Sequence, residues 1–254
     1  MRILVVNCNT DPEMTATIAA GARRAALPGT QVVATQPAWG PHSAEGYYES
    51  LITAAAVLDT LAGMAGTCDG VVMAGFGEHG REGARQLLDV PVVDITEASA
   101  QLATLVSYRY GVVTTTEAAI ASITDSLTLA GLASRCSGVL ASGVAVSDAG
   151  ADRSRTVDSL VRTSQRLLTD GADAIVLGCA GFTGLDEELE DRLGVPVIDP
   201  VAAGVALCES LIRLGKRTST SGPFRPPRPG KPLVGWPVSS APDGGGLSRP
   251  DPAL

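Results

Sequence analysis

Residues 172–181 read ADAIVLGCAG, and residues 68–77 read CDGVVMAGFG. Each is a polar or small lead-in, four or five apolar residues of strand length, and then a run of small residues. Each is followed by a stretch with helical periodicity and then by a near-identical closing run, Val195-Pro-Val-Ile-Asp199 in the later copy and Val90-Pro-Val-Val-Asp94 in the earlier. A unit of strand, helix and strand that occurs twice implies two related α/β halves. Outward from this repeat, Ile3–Val6, Val32–Thr35, Gly70–Ala74, Val90–Ile95, Gly111–Thr115, Ala174–Gly178 and Val195–Ile198 read as buried strands alternating with amphipathic helices, the pattern of a largely parallel sheet. Arg2–Cys8 matches Tyr110–Thr115 in pattern, so the second half starts near Tyr110.

The expected fold class is therefore α/β, with two pseudo-symmetric parallel-sheet lobes and the active site in the cleft between them. The expected domains are a first lobe at 1–108, a second at 109–199, a crossover helix at 200–217 that returns to the first lobe, and a tail at 218–254. The tail is rich in proline, glycine and serine and reads as mostly disordered, with Phe224 as its one docking residue. Asp11-Pro12-Glu13 has the cap, first-turn proline and first-turn acid of a helix start. The loop Asn7-Cys8-Asn9-Thr10 thus lies between a strand's C-terminal end and a helix N-terminus. Ligands of open parallel sheets bind there, which brings this loop, the Gly75 loop and the Cys179 loop to one cleft.

Bulk properties narrow the partners. The chain has 254 residues, 45% of them apolar, and a formal net charge of −8. That charge disfavours a nucleic-acid or anionic-membrane surface, although Arg225, Arg228 and Lys231 make the tail locally basic. No apolar run approaches the roughly 18 residues of a membrane span, and no cleavable leader is apparent, so the expected location is cytoplasmic and the expected partner a small-molecule substrate. Five cysteines without a CxxC pair do not form a disulfide framework. His42 and His79 lie in no zinc-type spacing, so no metal site is expected. The two lysines, Lys216 and Lys231, follow the last helical pattern, which leaves none inside the fold for pyridoxal or Schiff-base chemistry.

A thiol at a strand end, facing a cleft with a helix behind it, is expected to have a lowered pKa and to work as a base or nucleophile. Cys179 has that position, whereas Cys68, Cys136 and Cys208 read as structural and Cys8 is open. Asn7 and Asn9 read either as ligands of a carbonyl or amide or as turn formers. Thr114, Thr115 and Thr116, with the amides around Gly75, Phe76, Gly77, Ala180 and Gly181, are candidates to hold an enolate oxygen or carboxylate, the alternative for the threonines being helix capping. His79 reads either as a base or as a solvated loop residue.

Asn7-Cys-Asn-Thr10 with Met14-Thr15, Gly40-Pro-His-Ser-Ala-Glu-Gly46, Phe76-Gly-Glu-His-Gly80, Val112-Val-Thr-Thr115, Leu177-Gly-Cys-Ala-Gly181 and Gly194-Val-Pro-Val-Ile-Asp199 together resemble the aspartate/glutamate/hydantoin racemase superfamily, its hydantoin racemase branch in particular. The resemblance covers about residues 1–230. It implies two α/β lobes, no cofactor, and two cysteines facing each other across a substrate with an acidic carbon beside a carbonyl, either hydantoin-like or a small carboxylate. It also leaves a homo-oligomer open.

In that resemblance Cys179 matches the second catalytic cysteine, and Gly75 stands where the first would be. The family usually has proline at position 8 and Asp-Pro at 78–79. Three accounts of the missing thiol stay open. Cys8, His79 or Glu78 serves as the second base of a racemase or epimerase. Alternatively one face is inert and Cys179 protonates a carbanion left by decarboxylation, as in the arylmalonate decarboxylases. In the third account, Cys179 acts alone as a one-base isomerase or as a nucleophile.

Two competing classes follow from the same residues. Gly75-Phe-Gly77-Glu-His-Gly80 fits the dinucleotide fingerprint G-x-G-x-x-G, with Asp94 downstream. Against it, Asp94 has a counterpart in Asp199, which points to a repeated structural role. A catalytically dead homologue that only binds ligand is the other alternative.

Overall fold

A computed structural model describes residues 1–145 and 152–228. Among the described residues, eight strands and eight α-helices form two four-stranded parallel sheets of identical strand order. The first contains β1 (Arg2–Asn7), β2 (Gln31–Thr35), β3 (Gly70–Ala74) and β4 (Val92–Asp94), ordered β2-β1-β3-β4. The second contains β5 (Tyr110–Thr114), β6 (Cys136–Ala141), β7 (Ala174–Leu177) and β8 (Val197–Ile198), ordered β6-β5-β7-β8. Every pairing is parallel.

β6 is a strand that periodicity does not reveal. It is an edge strand, partly exposed along its whole length, and its sequence CSGVLA has neither a continuous apolar run nor a clear alternation. β4 and β8 are shorter than expected because Pro91 and Pro196 carry no N–H for a ladder. Each proline still accepts through its carbonyl, from Val71 and Ile175 respectively.

Both faces of the sheets are covered, which is why the central strands read as unbroken apolar runs. In the first lobe Ile3, Val5 and Val72 pack with Ile18, Ile95, Val201 and Val205 on one side. Leu4, Val6, Val71 and Met73 pack with Val57 and Leu61 on the other. Helix α1 (Pro12–Ala25) starts as its sequence requires, with Asp11 accepting from the Glu13 amide and Pro12 in the first turn. α4 (Ile95–Val106) contacts strands of both sheets, so it lies between the lobes. α8 (Pro200–Arg213) packs on α1, α4, β3 and β4, all elements of the first half.

After α8, Arg217 pairs with Asp89 and the Thr218 hydroxyl donates to the Val90 carbonyl. Phe224, in a 3-10 turn at Gly222–Phe224, lines a cavity of about 390 Å³ with Ala65, Cys68 and Leu87. Residues 229–254, most of the segment read as a disordered tail, lie outside the described residues. No helix among the described residues is long and apolar enough to cross a membrane.

Candidate active site

At the C-terminal ends of the strands, a small cavity of about 40 Å³ lies between the two sheets. Its wall includes Asn7, Cys8 and Asn9 from the β1 loop, Gly75, Phe76 and His79 from the β3 loop, Thr114 and Thr115 from the end of β5, and Cys179, Ala180 and Gly181 from the β7 loop. Gly77 and Thr116 are not part of the wall. The Gly77 amide is committed to the Thr96 hydroxyl, and its carbonyl accepts from Ser126. Ala119 is on the wall without being singled out from sequence, and Met14 and Ala44 stand there only as members of longer family motifs with no site role given to them; the three arrive from three different elements.

Each loop is shaped by its own residues. Asn7 Nδ2 donates to Asn9 Oδ1 at 2.8 Å and to Thr15 Oγ1 at 2.9 Å, and Asn9 Oδ1 also accepts from the Asp11 amide at 3.1 Å. These buried amides hold the β1 loop across the start of α1 while their side chains border the cavity. Thr114 Oγ1 donates to the Gly178 carbonyl at 3.1 Å, which joins β5 to the Cys179 loop. Residue 178 has to be glycine: a Cβ there would lie 2.8 Å from Val112 Cγ1 and 2.9 Å from the Val113 carbonyl oxygen. No threonine side chain caps α5 (Ala118–Leu129), so the capping alternative for this run does not describe the structure.

Two sequence readings need correction here. His79 is 4% exposed, not a solvated loop residue. Burial lowers its pKa, so the imidazole is neutral. Its Nε2 lies 3.3 Å from the Phe76 carbonyl, a contact that assigns the proton to Nε2 and leaves the buried Nδ1 as an acceptor with no partner.

The Cys179 thiol is pushed up to about 11, not down, because burial outweighs the hydrogen bond it accepts from the Gly181 amide at 3.4 Å. The element behind it is only a 3-10 turn, Ala180–Phe182, and α7 (Asp186–Leu193) begins later, so no α-helix terminus faces the sulfur. Cys8 is pushed up to about 12, by burial first and by Cys179 second. Cys179 thus bears electrostatically on Cys8 across the cleft.

The dinucleotide reading fails on geometry. Glu78 Oε1 accepts from the Gly80 and Arg81 amides, so a carboxylate already occupies the start of α3 (Arg81–Leu87), where a pyrophosphate would bind. Asp94 caps α4 through the Thr96 and Glu97 amides, and Asp199 caps α8 through those of Val201 and Ala202. Both aspartates are structural, as their repetition indicates. Among the described residues, no group of three or more His, Cys, Asp and Glu side chains is placed to hold a metal ion.

Two parallel-sheet lobes that close on a cleft with thiols from both sides define a class of two-lobed α/β enzymes. The chain belongs to the Asp/Glu/hydantoin racemase family, whose profile matches residues 3–208, and it is an isomerase of the racemase type. It is 36% identical over 229 residues to a hydantoin racemase of Pseudomonas sp. (strain NS671), covering 89% of this chain and 92% of that protein. The crystal structure of an allantoin racemase from Pseudomonas fluorescens superposes with a TM-score of 0.90 at 47% identity, over 92% of this chain and 100% of that one. An arylmalonate decarboxylase structure shares the fold alone, with a TM-score of 0.59 at 21% identity over 84% of this chain and 92% of that one.

Proposed function

We propose that the protein racemises 5-substituted hydantoin-type ureides, allantoin among them, by moving the α-proton between Cys179 and Cys8 without a cofactor. One observation carries this reading. A Cβ placed on Gly75 would lie 2.6 Å from Cys8 Cβ, 3.0 Å from Cys8 Sγ and 2.4 Å from His79 Cδ2. The space of the absent residue-75 side chain is therefore filled, and the thiol of Cys8 stands in it. An inert face of the decarboxylase kind would require that space to be free of acid–base groups.

In this mechanism one thiolate removes the proton from the carbon beside the carbonyl, and the opposite thiol delivers a proton to the other face. The amides at Phe76 and Ala180, with the Thr115 side chain, are the donors for the carbonyl as its charge develops, while the Gly181 amide is given to Cys179 and the Thr114 hydroxyl to Gly178. Asn7 and Asn9 fix the loop that presents Cys8. Gly77 ties the β3 loop to Thr96 and Ser126 from outside the wall, and Thr116 is left without a part in the site. His79 carries a second reading: its unpartnered, buried Nδ1 is a neutral acceptor on the same face as Cys8, available as the base or as the group that takes the Cys8 proton.

The test is proton NMR in deuterium oxide, with optical rotation followed in parallel. Wild type should exchange the α-hydrogen of 5-substituted hydantoins and lose rotation. Cys8→Ser and Cys179→Ser should each lower racemisation by about 10³-fold, and each should exchange one enantiomer only, opposite to the other's. Full racemisation by Cys8→Ser would remove Cys8 from the mechanism, and His79→Ala would then be decisive. Because both thiols are raised, kcat/KM should climb about tenfold per pH unit from pH 7 to 9, limited by the thiolate fraction.

A further inference from the structure

Asn9 stands on the cavity wall with half of its side-chain amide already committed. The Asp11 amide donates to Asn9 Oδ1 at 3.1 Å, and a backbone N–H can only donate, so the atom that receives it is the oxygen. The same logic fixes its neighbour. The Asn9 amide donates to Asn7 Oδ1 at 3.3 Å, which leaves Asn7 Nδ2 to donate to Asn9 Oδ1 at 2.8 Å and to Thr15 Oγ1 at 2.9 Å. Neither side-chain amide can be turned over without setting its nitrogen against a backbone N–H. Asn7 is thus spent on the loop at both ends, and Asn9 at one.

Among the described residues nothing accepts from Asn9 Nδ2. Residue 9 is only 4% exposed, yet this nitrogen is not among the buried polar atoms closed off without a partner. With Oδ1 turned to the start of α1, Nδ2 is the atom left to face the cavity that Asn9 lines. Thiols aside, the other polar side chains of the wall differ in kind. His79 Nδ1 accepts, Thr115 Oγ1 can donate or accept, and Thr114 Oγ1 is given to the Gly178 carbonyl. The wall contains no arginine, lysine, aspartate or glutamate. Asn9 Nδ2 is therefore an uncharged group that only donates, and the partner it suits is a neutral oxygen acceptor.

We infer that Asn9 is a specificity-determining residue: Nδ2 donates to the C2 carbonyl of a ureide ring, so the cleft admits rings with an acceptor there and rejects rings with an amino group in its place. The inference rests on the proton-transfer reading of the preceding subsection. There the carbonyl beside the acidic carbon, C4, takes the Phe76 and Ala180 amides and the Thr115 hydroxyl, from the loops after β3, β7 and β5. A hydantoin ring has one further oxygen, on C2, and Asn9 comes from a different loop, after β1. An amino group at C2 would set two donors against each other in a closed site, and a buried polar group left unpaired discriminates strongly.

Two measurements test this, one with turnover and one without. The first compares 5-methylhydantoin with 5-methyl-2-aminoimidazol-4-one, which keeps the C4 carbonyl and the acidic carbon and carries an amino group in place of the C2 oxygen. Wild type should favour the hydantoin in kcat/KM by about 10²-fold or more, mainly through KM, because C2 gains no charge in the transition state. Asn9→Asp keeps Oδ1 for Asp11 and Asn7 and turns the free end into an acceptor, so the ratio should fall by about 10²-fold. Taking the ratio cancels the effect of the new charge on the thiols. An unchanged ratio would overturn the inference, as would a difference confined to kcat, which would put Nδ2 on the C4 oxygen. The second measurement is the affinity for imidazolidin-2-one, a cyclic urea with neither a C4 carbonyl nor an acidic carbon, followed by saturation-transfer NMR. Asn9→Asp should bind it about tenfold more weakly than wild type. Equal affinities, or no binding to wild type, would overturn the inference as well. If wild type racemises no hydantoin, the proposed reaction fails, while imidazolidin-2-one still decides whether Asn9 holds a urea carbonyl.

Discussion

The two lobes share a strand order and a closing aspartate, yet they hold their cleft loops by different means. In the second lobe Asp199 divides its oxygens. Oδ1 caps α8, and Oδ2 accepts from Thr183 Oγ1 at 2.6 Å and from the Gly184 amide at 2.8 Å, so one carboxylate fixes both the helix and the loop that carries Cys179. In the first lobe the equivalent Asp94 caps α4 with Oδ1, but its Oδ2 is buried without a hydrogen-bond partner. There the Gly75–Gly80 loop is held instead by Thr96 and Ser126 on Gly77, and by Glu78 at the start of α3. Repeat halves can therefore keep a backbone while redistributing who supports it. The thiols differ in placement too: Cys179 follows β7, whereas in the first lobe Gly75 holds the matching place after β3 and Cys8 follows the neighbouring strand β1.

The most direct way to break this comparison is to return the thiol to its symmetric place. Gly75→Cys forces a Cβ into contacts of 2.4 and 2.6 Å with His79 and Cys8, so it should lower racemisation by about 10²-fold or more and destabilise by roughly 1–3 kcal/mol. Adding Cys8→Gly removes one of the two clashes and leaves a single thiol on that face. The double variant should recover at least about tenfold of the loss in hydantoin racemisation. Additive losses in the double variant would mean that the two positions are not exchangeable.

A second test uses the pH dependence of stability. Burial holds the Asp94 carboxyl up at about 7, against an ordinary value of 3.8. Between those values the folded protein keeps a proton that the unfolded chain has released, so stability falls as pH rises from about 4 to about 7. Asp94→Asn retains an N-cap residue and cannot ionise, and it should flatten that slope, by up to about 4 kcal/mol across the interval. Urea unfolding at several pH values measures it, and an unchanged slope would show that Arg81, 3.7 Å away, keeps Asp94 ionised.

Much of this was legible in the sequence because the repeat is written in strand-length apolar runs, which parallel burial on both faces requires. The placement of Cys179 at a strand end and the structural duty of Asp94 and Asp199 followed from the same register. What periodicity could not show was tertiary. β6 lacks a pattern because it is an edge strand. The buried state of His79 depends on packing from other segments, as does the upward shift of Cys179, since a strand-end position says nothing about whether water reaches the thiol. Cys8 looked ambiguous for a related reason: that its sulfur stands in the volume of residue 75 is a relation between β1 and β3, residues far apart in the chain.

The remaining tests sharpen the comparison of the two aspartates. Asp199→Ala removes a cap and two further hydrogen bonds to a buried loop, and should cost about 3 kcal/mol in urea unfolding and displace Cys179 enough to reduce activity. Asp94→Ala at pH 8 removes a cap and one of the three carboxylates around the buried Arg81, which keeps Glu78 and Glu82, and it relieves a buried carboxylate, so its cost should be below that. Equal costs would mean that the second oxygen of Asp199 contributes nothing. The smallest effect should come from Arg24→Ala. Arg24 approaches Asp199 Oδ2 at 3.5 Å but its side chain is 58% exposed, so solvent screens the pair. With Thr183 and Gly184 still donating to the same oxygen, the loss should be under about 1 kcal/mol and should shrink in salt. A loss as large as that of Asp199→Ala would place the anchoring of the Cys179 loop in the ion pair, not in the hydrogen bonds.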